Sequence, residues 1–103
     1  MYKLNVYIPL KYKEVVKSAM FEKGAGSVGN YDHCCFEVLG TGQFRPLKGS
    51  QPHLGNENIL EKVEEVRVEL VVPSSKIHEV VKAMKEAHPY ETVAYDVFKM
   101  EEI

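Results

Sequence analysis

A chain of 103 residues is long enough for one hydrophobic core and too short for two, so the sequence predicts a single domain over residues 1–103. The net charge of -2, with basic residues scattered among acids, argues against the basic face of a nucleic-acid-binding protein. No apolar run approaches the roughly 20 residues that span a bilayer, and no signal-peptide core follows Met1. We therefore expect a cytoplasmic protein that binds neither nucleic acid nor membrane.

The first half of the chain predicts a strand, a helix and a second strand. Residues 2–8 alternate between apolar and polar side chains, as in a half-buried strand, and Pro9 ends the pattern. Residues 10–23 then show apolar positions at helical spacing, followed by two glycines that predict the helix end. This helical stripe consists of Tyr12, Val15, Val16, Ala19 and Met20. A strand is predicted over residues 32–39, with Cys34, Phe36 and Val38 on one face.

The second half repeats this order. A strand is predicted over residues 65–72, and two serines after Pro73 are natural caps for a helix that Pro89 ends. The stripe of this helix consists of Ile77, Val80, Val81, Met84 and His88. The last strand is predicted over residues 92–100. In both halves Glu-Val-Val-Lys begins a few residues after a strand that ends in proline, so the halves form an internal repeat.

A doubled strand-helix-strand unit predicts an α+β fold, a ferredoxin-like βαββαβ sandwich with two helices on one face of an antiparallel sheet. The other face is then open. We expect it to carry Tyr7, Leu39, Val71, Ala94 and Phe98, which is more apolar than solvent favours, and therefore to bind a second copy or another partner.

Between the two halves lies an insertion over residues 40–62, whose centre is the glycine- and proline-rich stretch GTGQFRPLKGSQPHLG at 40–55. It has neither helical nor strand periodicity, and long loops in small domains are often functional. Residues 56–62 are expected to form a short turn or helical piece. The candidate ligand or partner residues of the 40–55 stretch are Gly40, Thr41, Gly42, Phe44, Arg45, Pro46, Gly49, Pro52, His53 and Gly55. The alternative is a rigid hairpin pinned by Phe44 and Pro46 that serves subunit contacts.

Side chains that bind metals or polar ligands are spread along the chain: His33, Cys35, His53, His88 and Glu91. In an alternating strand His33 and Cys35 share a face, but the spacing matches no standard zinc motif. The box His88-Pro89-Tyr90-Glu91 follows the second helix, where a cationic histidine would complement the helix dipole. The alternative is a specialised helix-to-strand turn, with the His88 ring buried and hydrogen-bonded on the apolar stripe.

The stretches GNYDHCCF, GTGQFRPLKGSQPHLG and HPYETVAYDV resemble the small domain in the middle of Nif-three-like (YqfO) proteins, over Tyr2 to Met100. The resemblance implies the ferredoxin-like fold of PII signalling proteins and the CutA group, many of which are trimers. Within and beside these stretches we single out six residues as a structural motif: Asn30, Tyr31, Pro89, Tyr90, Tyr95 and Asp96. The two-metal site and cyclohydrolase activity of that family are attributed to flanking halves with no counterpart here, so the resemblance implies no catalytic residue.

We therefore expect a non-enzymatic regulatory or binding module that forms a homo-oligomer, a trimer or a multiple of it, through the sheet. It would receive a small effector, a metal ion or a protein partner at the 40–55 loop and in clefts between subunits. One alternative is a divalent-metal-binding protein that uses the histidine, cysteine and glutamate residues named above. A second is the remnant of a small metal-dependent hydrolase. The sequence predicts no cofactor apart from that divalent metal.

Overall fold

The computed structural model describes all residues 1–103 and contains four strands and two helices. The strands are β1 (Tyr2–Pro9), β2 (Phe36–Phe44), β3 (Glu61–Val72) and β4 (Tyr95–Lys99), and the helices are α1 (Lys13–Glu22) and α2 (Ile77–Ala87). Short 3-10 turns, Leu10–Tyr12 and Ser74–Lys76, lead into the two helices. All strand pairs are antiparallel, in the order β2-β3-β1-β4. The predicted α+β fold is confirmed.

The hydrophobic core lies between the sheet and the two helices. Every second residue of β1 and of the end of β3 points into it, as the alternating pattern predicts. The helices contribute side chains at intervals of three or four residues, which form one face of each helix. The core consists of Leu4, Val6, Ile8, Val16, Met20, Ala25, Val66, Val68, Leu70, Val72, Ile77, Val80 and Met84. Neither helix is long and apolar enough to cross a bilayer.

The apolar stripe of α1 is narrower than predicted. Val15 is 55% exposed, whereas Val16 and Met20 are fully buried. Val15 lies one residue before Val16, at the border of the face of α1 that packs on the core, and the sequence pattern alone does not fix where that border falls. The serines after Pro73 form a 3-10 turn, and no side chain caps either helix, so the predicted serine caps are wrong.

The second strand was assigned to the wrong residues and the wrong face. It begins at Phe36 instead of residue 32 and continues to Phe44. Phe36 and Val38 lie opposite Glu69 and Arg67, which places them on the face away from the helices. Leu39 lies opposite buried Val66, on the helix side. Alternation pairs the residues of a strand correctly, but it does not say which set is buried at a sheet edge.

An ion-pair network joins Glu37, on the helix side of this edge strand, to α1. The Glu37 carboxylate lies 2.9 Å from Nζ of Lys13 and 2.7 Å from Nζ of Lys17. Hydrogen bonds from these two ammonium groups lower the pKa of Glu37. The charge of Glu37, on the helix-facing side of β2, is therefore neutralised by two lysines of α1.

The insertion between the halves is shorter than predicted because both strands extend into it. Residues 40–44 belong to β2, and β3 begins at Glu61, which lies opposite Phe44. Of the short turn or helical piece expected at residues 56–62, the turn is present, with the Ile59 N–H donating to the Asn56 carbonyl at 3.1 Å, and no helix forms. The loop proper covers residues 45–60. On the other side of the sheet, β4 begins only at Tyr95, so residues 88–94 form a connecting segment after α2.

The narrow stripe of α1 predicts a contrast in stability between substitutions at two of its positions, Met20 and Val15. Replacing Met20 by alanine removes a fully buried side chain and should lower the free energy of unfolding by about 2–5 kcal/mol. Val15→Ala is the matched control, and because this side chain is exposed its effect should stay within about 0.5 kcal/mol. Urea unfolding followed by circular dichroism measures both values, and a Val15→Ala loss as large as that of Met20→Ala would contradict the structure.

Candidate functional site

A cleft of about 420 Å³ opens at one end of the uncovered sheet face. One wall is the 45–60 loop with the end of β2, and the other is the connecting segment 88–94. The lining residues are Tyr7, Gln43, Phe44, Arg45, Pro46, Leu47, Ser50, Pro52, His53, Leu54, Glu65, Tyr90, Glu91, Thr92 and Ala94. Residues from three strands and two connections therefore meet at this place.

The lining divides by exposure into a floor and a rim. The floor consists of the five buried or half-buried residues, which are Tyr7, Phe44, Pro46, Glu65 and Tyr90. The rim consists of the remaining ten lining residues, all of them exposed. The floor thus presents three aromatic rings, one proline and a single charged group. Most of its surface is apolar, as is usual for sites that bind small molecules.

The segment 88–94 is held to the sheet through both backbone groups of Tyr7. The Tyr7 N–H donates to the carbonyl of Ala94 at 3.1 Å, and the Tyr7 carbonyl lies 2.8 Å from Nε2 of His88. We call this pair of contacts the Tyr7 clamp. Pro89 ends α2 by forcing His88 into an extended conformation, with ψ of 139°. The histidine ring therefore turns back toward β1.

The hydrogen bonds of His88 define its protonation state. The backbone N–H of Tyr90 donates to Nδ1 at 3.2 Å, so Nδ1 carries no proton and Nε2 donates to the Tyr7 carbonyl. Burial lowers the pKa of His88, and the bond to Tyr7 opposes this only in part. The predicted cationic histidine is therefore wrong, while the predicted buried, hydrogen-bonded ring is what the structure contains. Both ring nitrogens are occupied.

Tyr90 joins the connecting segment to β3 and to the loop. Its hydroxyl donates to Oε2 of Glu65 at 3.3 Å, and its ring centroid lies 5.9 Å from that of Phe44 and 6.3 Å from that of His53. Burial, and secondly the neighbouring Glu65 carboxylate, raise the pKa of Tyr90 to about 12. The phenol therefore stays protonated and keeps donating to Glu65.

Two glycines of β2, Gly42 and Gly40, lie on the same face of the sheet but have different surroundings. A Cβ at Gly42 would collide with the carboxylate of Glu65, so this residue makes room for the Glu65 side chain to reach Tyr90. A Cβ at Gly40, one pleat along the same face, would meet nothing within 4 Å. Only the first is required by the packing of this chain.

The loop is fastened at several points. Pro46 is buried, its carbonyl accepts the N–H of Asn58 at 2.6 Å, and the N–H of Gln51 donates to Oε1 of Glu91 at 3.0 Å. The ring of His53 packs edge-on against Tyr12, with centroids 5.3 Å apart. The loop is thus held against the connecting segment and forms a wall with a defined shape.

Sequence reasoning found one wall of the cleft and three of the five floor residues, Phe44, Pro46 and Tyr90. Five of the predicted loop residues line the cleft, namely Phe44, Arg45, Pro46, Pro52 and His53. Gly55 packs beside Phe44, Gly49 lies in an exposed turn, and Gly40 and Thr41 belong to β2. Tyr7 and Glu65 were not predicted as site residues. The available signal was that both alternate onto the open face, next to the ends of their strands.

The predicted metal ligands do not converge in one chain. His33 has a φ of 57° and precedes β2, beside Asp32 and the ring of Phe21, so it does not share a strand face with Cys35. His53 and Glu91 lie on the rim, whereas both nitrogens of His88 are bonded below the cleft. No group of three or more His, Cys, Asp or Glu side chains is close enough to hold a metal ion.

The predicted structural motif residues lie in connections and in β4. Asn30 and Tyr31 belong to a tight turn closed by a bridge between Val28 and Tyr31, where the Tyr31 side chain is 76% exposed. In β4, Asp96 accepts a hydrogen bond from the Asn5 amide at 2.8 Å. Tyr95, its neighbour, faces the helices and lies under Nζ of Lys85. Of the six motif residues, Tyr90 is the one that lines the cleft.

Comparison with solved structures defines the class of the fold. The periplasmic divalent cation tolerance protein CutA from Archaeoglobus fulgidus superposes with a TM-score of 0.69 at 20% identity, covering 99% of this chain and 86% of that one. At this identity the similarity concerns the fold alone. The chain is therefore an α+β protein with a CutA-like fold. No protein-family model matches it.

Other proteins are more similar to this chain. A Bacillus cereus protein related to NIF3 gives a TM-score of 0.83 at 44% identity, with 98% of this chain and 26% of that chain covered. The GTP cyclohydrolase 1 type 2 homologs of Bacillus subtilis and Mycobacterium tuberculosis are 47% identical over 100 residues and 45% identical over 95. These matches cover 97% and 92% of this chain but 27% and 25% of the relatives. Over nearly its whole length the chain is thus similar to one part of Nif-three-like proteins, and it spans about a quarter of the length of the relatives it matches.

The neutral His88 ring predicts a loss of stability in mild acid. Its pKa is lower in the folded chain than the ordinary value of 6.5, so as the pH falls through 6.5 the unfolded chain takes up a proton that the folded chain does not. Stability is therefore full above pH 6.5 and should decrease below it, by at most about 1.4 kcal/mol per pH unit for one proton. Urea unfolding at a series of pH values between 7.5 and 5 measures this slope.

Two variants show whether the pH dependence of stability comes from His88 or from another histidine. His88→Gln cannot take up the proton and should lose stability overall but flatten the slope. His78→Gln, on the exposed side of α2, should keep the slope of the unmodified chain. Equal slopes in the unmodified chain and in His88→Gln would contradict the assignment.

Proposed function

We propose that the chain is a non-catalytic binding module whose cleft receives a small effector. The observation that carries this proposal is the cleft itself, with its apolar floor and its exposed polar rim. Its volume of about 420 Å³ falls within the range of roughly 300–1,000 Å³ that is usual for ligand pockets. The cleft is built from the two segments that the sequence singled out, the loop and the His-Pro-Tyr-Glu box.

The states of His88 and Tyr90, in the His-Pro-Tyr-Glu box, support binding over catalysis by these two residues. A general base needs a free nitrogen or carboxylate of suitable pKa at the reacting atom. Both nitrogens of His88 are engaged by the backbone, and the raised pKa of Tyr90 opposes its use as a base near neutral pH. The relatives' name refers to a GTP cyclohydrolase, but this chain matches only about a quarter of those proteins.

A cleft-filling variant tests the proposal. Compounds from a fragment collection should shift the backbone amide signals of Phe44, Glu65 and Tyr90 in nitrogen-15 NMR spectra. Ala94→Phe places a ring in the mouth of the cleft, and because it occupies the ligand's volume it should weaken binding about tenfold or more, roughly 1.4 kcal/mol. Thr41→Phe, exposed on the opposite side of the β2–β3 hairpin, is the matched control and should bind normally.

Two results would contradict this proposal. The first is that no compound shifts the floor signals, or that those that bind shift other regions. The second is turnover of a nucleotide such as GTP by the chain that is lost in His88→Gln.

We further propose that copies of this chain associate through the open sheet face. Phe36 is 64% exposed, Phe98 is 59% exposed and Val38 is 42% exposed, all on this face. Gly40 lies beside them and leaves bare backbone that no residue of this chain covers. Glycine in a strand interior often marks close approach of another backbone or a ligand. This favours a second copy on the same face that borders the cleft.

Light scattering at micromolar concentration tests the association. The unmodified chain should show the mass of an oligomer, a trimer or a multiple of it. Val38→Glu should reduce the mass to that of a monomer, because it buries a charge in the contact. Leu39→Glu, the adjacent residue on the helix side of the same strand, is the control and should leave the mass unchanged. A monomeric unmodified chain would contradict the proposal.

A further inference from the structure

We propose that the floor of the cleft binds the ammonium group of a small organic cation whose remaining part is apolar. This inference rests on the proposed function and names the class of its ligand. It is carried by the juxtaposition of three aromatic rings with one carboxylate that has no cationic partner in the chain.

The aromatic part of the floor suits a cation. Tyr7, Phe44 and Tyr90 surround the same space, and the rings of Phe44 and Tyr90 are inclined by 59°. Faces of aromatic rings attract an ammonium group through their quadrupole, and cages of such rings recognise substituted ammonium ligands. The same rings bury an apolar body equally well.

The Glu65 carboxylate supplies the counter-charge. It is the single charged group on the floor, and the one side chain that donates to it is the neutral Tyr90 hydroxyl. Arg67, the next residue along β3 on the same face, lies 3.6 Å from Glu69, and no lysine, arginine or histidine forms an ion pair with Glu65. A half-buried carboxylate without a cation favours a ligand that brings one.

The charged groups on the rim do not compensate Glu65. Arg45 and Glu91 are both exposed and of opposite charge, and Glu91 is already bonded by the N–H of Gln51. Water and salt screen exposed charges much more than half-buried ones. The charge preference of the cleft is therefore set at Glu65.

Three probes with one apolar body test the charge preference. Benzylammonium, benzyl alcohol and benzoate share a benzyl or phenyl group and differ in charge. Each is titrated into the full chain at neutral pH while nitrogen-15 NMR follows the floor amides. Benzylammonium should bind about tenfold more tightly than benzyl alcohol, since cation–π attraction and a half-buried ion pair add, and benzoate should bind most weakly.

Replacing one carboxylate at a time shows which of them causes the preference for the cationic probe. Glu65→Gln keeps the shape and the acceptor for the Tyr90 hydroxyl but removes the charge, so the preference for benzylammonium should fall to the smaller part that the aromatic rings supply. Glu91→Gln removes a rim carboxylate and should preserve the preference of the unmodified chain. If Glu65→Gln does not fold, nuclear Overhauser contacts in the unmodified chain, from the probe's methylene protons to Glu65 and the Tyr90 ring, give the same information.

The outcomes distinguish this inference from the proposed function. Equal binding of benzylammonium and benzyl alcohol to the floor of the unmodified chain would overturn the cation assignment but leave the cleft as a binding site. Loss of the preference in Glu91→Gln instead of Glu65→Gln would also overturn it. If none of the three probes perturbs the floor, both the inference and the proposed function are contradicted.

Discussion

The Tyr7 clamp is the contact on which the cleft depends. It uses both backbone groups of one residue near the end of β1, bonding its N–H to Ala94 and its carbonyl to His88. His88 can serve in this way because burial keeps its ring neutral, with Nε2 as a donor and Nδ1 as an acceptor for the N–H of Tyr90. The His88 imidazole therefore connects the end of α2 to Tyr7 of β1 and to Tyr90, whose ring forms part of the floor.

From this clamp the site extends outward in a short series of contacts. The oriented Tyr90 ring donates to Glu65 on β3, and Gly42 on β2 leaves the space in which the Glu65 carboxylate lies. The end of β2 and the loop then close the cleft, because Phe44 and His53 pack toward Tyr90. The open face of the sheet thereby acquires a walled end, and the half-buried Glu65 carboxylate is the single charged group on its floor.

The sequence correctly predicted the strands and helices whose apolar residues recur with a clear period. It did not predict burial at positions where the packing of other elements decides it. The inward residues of β1 and β3, such as Val6 and Val68, follow directly from alternation beside a covered core. Phe36 and Val15 did not, because the same periods leave open which side an edge strand or a helix end presents. Glu65 escaped prediction because its meeting with Tyr90 requires the strand register and the path of the connecting segment.

The tautomer and charge of His88 test this account most directly, because the account makes His88 a support for the cleft and not a metal ligand. Nitrogen-15 NMR of the ring at neutral pH reports both, and it can be repeated with added Zn²⁺. The account predicts a neutral ring with its proton on Nε2 and signals that zinc does not change. A proton on Nδ1, a cationic ring, or zinc-dependent shifts at His88 would contradict it.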